Sequence, residues 1–164
     1  MKIINFIITC MLLLSCNNEK KQYIELTLGS SMDPNEPRIG ILIDDKDSLY
    51  MCKEIIGTTN KNTKYEYFKS TKRIDFSFFK QNVLNSFDTL STFRSVPDAQ
   101  SKQINYYLNG QNEKFRFYSH ELSKKQEKII EDLILLQQSK TFVKIPHYNF
   151  SKELLYEVTP LPPQ

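Results

Sequence analysis

The chain has 164 residues, a formal net charge of +3 and 25% charged residues. So balanced a charge provides no electrostatic footprint for a nucleic acid, and the length provides one core rather than several. Nine tyrosines and eleven phenylalanines supply bulky apolar material without any tryptophan.

The first stretch, Met1–Cys16, reads MKIINFIITCMLLLSC. Lys2 and the terminal amine form a short positive region. The apolar run Ile3–Leu14, broken by Asn5 and Thr9, is shorter than the roughly 20 residues that span a bilayer. It matches the apolar core of a secretory signal. Its end, Leu13-Leu14-Ser15-Cys16, resembles the lipobox of bacterial lipoproteins. That resemblance implies cleavage before Cys16 and acylation of the Cys16 thiol and amine. Two or three chains there make release from a membrane negligible. Asn17, not an aspartate, follows Cys16. By the same resemblance, the protein is expected in the cell envelope, at the outer membrane of a Gram-negative bacterium.

The expected organisation is a signal over 1–15, a lipidated Cys16 with a tether over 16–22, one α+β domain over 23–158 and an extended tail over 159–164. Residues 17–22 contain no apolar side chain and reach about 20 Å when extended. Lys20 and Lys21 read as part of a solvated leash. Cys10 leaves with the signal and Cys16 is lipidated. Only Cys52 then remains, and the domain stands without an intrachain disulfide.

Alternation of apolar and polar residues predicts a strand over Tyr23–Leu28. A loop with Pro34 and Pro37 follows. Ile39, Ile41 and Ile43 mark a second strand, Asp44–Asp47 a turn, and Ser48–Lys53 the returning strand. Tyr65–Lys69 predicts a fourth. The period then changes. Phe79, Val83, Phe87, Leu90 and Phe93 fall within an arc of about 120° at 100° per residue, with Leu84 beside it. A helix is expected over Phe78–Thr92 with Ser77 as its N-cap. Residues 95–101, with Pro97-Asp98, form a linker.

Gln103–Ser119 predicts a hairpin. Asn109-Gly110 supplies the two positive φ angles of a type I′ turn. That turn places Ile104 opposite Phe115, with Ile104, Tyr106, Leu108, Phe115 and Phe117 on one face. The other face carries Gln103, Asn105, Tyr107, Asn112, Lys114 and Arg116. A four-residue loop gives the same faces, and a three-residue loop mixes them. Ser123-Lys-Lys-Gln126 resembles a capping box. Ile129, Ile130, Leu133, Ile134 and Leu136 span roughly 160° of the helix behind it, with Leu135 as a second contact. Phe142, Val143 and Ile145 follow, and Pro146 ends the run. The sum is an antiparallel sheet of about six strands with two helices on one face. This order resembles small lipoprotein domains of Gram-negative envelopes, a likeness that implies no activity.

Chemistry is sparse. His120 and His147 are not spaced as ligands. Asp45-Lys46-Asp47 opens like a calcium loop, but Leu49 stands where an oxygen ligand is needed and no glutamate closes the loop. No metal or cofactor is expected. Cys52 with His120 or His147 is the one thiol–imidazole combination. Yet Cys52 lies in an apolar strand, where a lone cysteine serves as a small core hydrophobe. Glu121 beside His120 suits capping better than acid–base work. Tyr50, Tyr65, Tyr67, Tyr106, Tyr107 and Tyr118 lie on predicted strands or at their ends. They suit either a binding face or ordinary sheet packing. Pro160–Pro163 fits P-x-x-P but reads as an extended tail. The expected function is a non-enzymatic, lipid-anchored envelope protein that meets a protein or other envelope partner, of inhibitor, immunity or assembly type. A small hydrolase with an unfamiliar site and a structural spacer are the alternatives.

Overall fold

The computed structural model describes residues 21–31, 33, 35–57, 64–87, 100–138 and 141–157. They form a seven-stranded antiparallel sheet with three helices, an α+β fold. The strands are β1 (Tyr23–Leu28), β2 (Ile39–Asp44), β3 (Leu49–Glu54), β4 (Tyr65–Ser70), β5 (Lys102–Leu108), β6 (Gln111–Phe117) and β7 (Phe142–Ile145). Their spatial order is β6-β5-β1-β2-β3-β4-β7. The helices are α1 (Phe76–Leu84), α2 (Lys124–Leu136) and α3 (Lys152–Leu155).

The strand alternation decides the layers, because successive side chains leave a strand on opposite faces. Leu26 of β1 lies between Ile41 of β2 and Ile104 of β5. Together with Ile24, Ile43, Leu49, Tyr106, Leu108 and Phe117 these residues make the inner face. Phe76, Phe79 and Val83 of α1 and Ile129, Ile130 and Leu133 of α2 close it. The two predicted helices thus pack on one face as expected. The seventh strand is one more than the expected number. Phe142–Ile145 gains it by pairing antiparallel with the edge of β4, a long-range partner that no local pattern announces.

The β5–β6 turn has the predicted form. Asn109 and Gly110 take φ of 51° and 83°, and Ile104 faces Phe115. Asp47 at the β2–β3 turn also takes a positive φ, 56°. Asp44 steadies that turn by accepting from the N–H groups of Lys46 and Ser48 at 3.0 and 3.2 Å.

Helix α1 differs from the expected Phe78–Thr92. It starts at Phe76 because Asp75, not Ser77, caps it, accepting from Phe78 N at 3.0 Å. Asp47 also accepts from Phe76 N at 3.3 Å. It ends at Leu84 because the next carbonyls are taken by other elements. Gln126 Nε2 donates to Ser86 O at 2.7 Å and Tyr106 Oη to Phe87 O at 3.2 Å. Phe87 still enters the core, its ring tilted against that of Phe117 at 6.4 Å between centroids, but from a turn. Leu90, Phe93 and residues 95–99 of the linker lie outside the described residues.

Helix α2 carries the predicted capping box: Ser123 accepts from Gln126 N, and Gln126 accepts from Ser123 N at 2.9 Å. Ser123→Ala is expected to cost about 1 kcal/mol by stranding one N–H of the first turn, visible as a lower urea midpoint at unchanged slope. Leu135, suggested as a second contact, is 55% exposed.

Candidate functional site

The outer face of the sheet is not left to water. After Ile145 the chain turns at Pro146 and runs back across the strands as a strap over residues 146–157. Each step uses an outward residue of the sheet. The His147 ring lies 4.7 Å from that of Tyr67 on β4. Tyr148 stacks on Tyr50 of β3, centroids 3.7 Å apart. Phe150 lies on Gly40 of β2, where an added Cβ would come within 2.7 Å of its ring. Ser151 N donates to Glu25 of β1 at 2.8 Å. Helix α3 then buries Leu154 and Leu155. Leu155 O accepts from Arg38 Nη1 at 2.8 Å and from Tyr65 Oη. Glu153 pairs with Lys114 and Glu157 with Arg116, both on β6.

Between this strap and the β1–β5–β6 side of the sheet lies a cleft of about 680 Å³, within the range of small-molecule sites. Its floor is Glu25, Leu42 and Asn105; Tyr23, Tyr148 and Asn112 flank it, with Lys21 and Lys114 at the rim. Glu25 is 4% exposed and Asn105 7%. Burial pushes the Glu25 carboxyl up to about 7, against the lowering effect of the Ser151 N–H, and the Glu153 charge adds to the rise. Each rim lysine already has a carboxylate: Lys21 pairs with Asp44 and Lys114 with Glu153. Burial alone would lower the Lys21 ammonium, but its bonds to Asp44 and Tyr148 outweigh that and hold it well above the ordinary lysine range.

Lys21 is therefore not leash, as the sequence suggested. It is docked on the outer face beside Tyr148 at 3.2 Å. Gln22 is docked with it, its N–H donating to Asp45 at 2.8 Å.

The residues singled out in the sequence take other places. Cys16 lies outside the described residues, as does the tail from 158 onward. Cys52 is fully buried on the outer side beneath Phe150 and Gly40, and burial pushes its thiol up, away from the reactive thiolate. His120 follows β6, four strand spacings from β3, or about 19 Å. Cys52 and His120 are not brought together. Glu121 accepts from Tyr118 N at 2.6 Å as part of a local cap. Asp44, Asp45 and Asp47 serve the turn, Lys21, Gln22 and Phe76. No group of three His, Cys, Asp or Glu able to hold a metal occurs among the described residues. Tyr50, Tyr65 and Tyr67 are covered by the strap; Tyr106 and Tyr118 are buried and Tyr107 is half-buried. The tyrosine pattern is thus sheet packing rather than an open binding face.

Glu25, Asn105 and Tyr148 were not singled out. On β1 and β5 the polar alternation looks like any solvated face, and the HYNF stretch 147–150 has no period. The signal sits in the juxtaposition.

No family model, curated protein or solved structure matches the chain. No helix of the described residues is long and apolar enough to cross a membrane.

Proposed function

We propose that the chain is a bacterial lipoprotein, anchored through acyl chains on Cys16 at the envelope, most specifically the outer membrane. Its α+β domain recognises an envelope partner and carries out no catalysis. The reading is carried by the Leu13-Leu14-Ser15-Cys16 ending of a short apolar run. The docking of Lys21 supports it from the other side. From Cys16 to Lys21 the backbone reaches at most roughly 17 Å, which keeps the cleft close to the headgroups. The inert burial of Cys52, its distance from His120 and the capping duty of Glu121 favour recognition over hydrolysis.

Mass spectrometry of the purified full chain tests the anchor. Acylated Cys16 as the first residue is the expected form, and Cys16→Ser is expected to leave the membrane fraction for the soluble one. An unprocessed leader, or a free Cys16 thiol on membrane-bound protein, overturns it. Recovery of a stoichiometric envelope partner from detergent-solubilised membranes is the expected result for the recognition role; a purely monomeric protein that recovers none counts against it.

A further inference from the structure

Resting on that reading of a recognition domain, we propose that the cleft under the strap binds a neutral saccharide of envelope type, with a sugar ring seated over Glu25 and Asn105.

The charges exclude anions first. The deepest ionisable group is a carboxyl, and both rim lysines are already matched by Asp44 and Glu153. A phosphate or carboxylate entering here would meet Glu25 without an unclaimed cation to offset it. The floor excludes apolar ligands next. Glu25 and Asn105 are more than nine-tenths buried and line the cleft. Among the described residues Glu25 receives one hydrogen bond, from Ser151, and Asn105 accepts one, from Gln103 Nε2 at 3.0 Å. An apolar occupant would strip water from what remains, at about 1–3 kcal/mol for each unpaired group. An extended peptide fits poorly as well. The floor is the face of a sheet, and its backbone groups are spent on neighbouring strands.

What is left is a ligand that carries donors and acceptors at its edge and C–H surface on its faces. A pyranose has both. Its hydroxyls match a carboxyl and the Asn105 and Asn112 amides, and its C–H face suits Tyr23 or Tyr148. A firm cation site needs a firm counter-charge, whereas burial raises the Glu25 carboxyl toward its neutral form. That argues for a neutral sugar over an amine.

The test uses the full acylated chain in a zwitterionic detergent without a sugar headgroup, titrated calorimetrically with four ligands. These are chitotetraose and maltotetraose as neutral arms, the de-acetylated glucosamine tetramer as the cationic arm, and inorganic phosphate as the anionic arm. Saturable binding of a neutral tetramer is expected. Asn112→Trp, at an exposed position on the flank of the cleft, should weaken it about tenfold or more with the fold intact. Binding of the cationic tetramer or phosphate alone, of no arm, or with Asn112→Trp unaffected overturns the inference. Mass spectra of the same sample separate the two readings. Acylated Cys16 without sugar binding sinks the saccharide alone, and sugar binding by an unacylated protein sinks the anchor alone.

Discussion

Glu25→Gln is expected to stabilise the domain by about 3 kcal/mol near pH 8 and to change little in acid. In the native state burial raises this carboxyl to about 7 from its ordinary 4.5. The native state therefore holds a proton that the unfolded chain has released between those values. Stability falls with pH wherever the folded form binds more protons. Its contribution is complete below pH 4.5, declines as pH rises, and is lost above about 7. The facing groups do not reverse the sign. Ser151 N–H favours the ionised form, Glu153 opposes it, and desolvation outweighs both. Lys114, the nearest rim cation on β6, is committed to Glu153. Urea midpoints of wild type and variant, measured from acid to mild alkali, should converge at low pH and diverge at high pH. Parallel curves would show that the side chain ionises freely and that the cleft floor is wetter than the geometry implies.

Gly40→Val is expected to cost about 3 kcal/mol, at the upper end of overpacking penalties. Gly40 is the second residue of β2, within a strand, where glycine is ordinarily a weakness. The reason is a close approach: a Cβ would lie 2.7 Å from Cys52 Sγ and 2.7 Å from Phe150 Cδ1. One neighbour is the fully buried thiol of Cys52, paired with Gly40 on the adjacent strand β3, with little room to retreat. The other is the strap, which can lift. Hydrogen exchange at Ser151 N–H should therefore rise with the loss of stability. Phe150→Ala in the Gly40→Val background should recover part of the loss, because the removed ring makes room for the new methyls. A double-mutant cycle reads that coupling directly. Strictly additive effects would mean that Phe150 does not rest on Gly40.

Particular residues show where local reasoning stops. The Asn109-Gly110 turn was legible because two adjacent positive φ angles have few sequence solutions. The Ser123–Gln126 box was legible because donor and acceptor sit within one turn of helix. The end of α1 was not. Its apolar period continues through Phe87 and beyond, and only Gln126 and Tyr106, distant in the chain, claim the carbonyls that stop it. The strap was invisible for the same reason: stacking of Tyr148 on Tyr50 has no counterpart in either segment alone.

The amino-acid order by itself determined the α+β class, the two faces of the β5–β6 hairpin, the presence of both main helices and the lipobox-like ending at Cys16. Each is a property of near neighbours: alternation, helical period, a turn that needs particular φ angles, or a contiguous motif. Tertiary structure alone decided that β7 joins the edge of β4, that residues 146–157 cover the outer face, and that Glu25 lies at the floor of a cleft rather than in water. Burial of a polar residue is set by what arrives over it from elsewhere in the chain, and alternation along one strand is the same whether its polar side meets solvent or a returning segment.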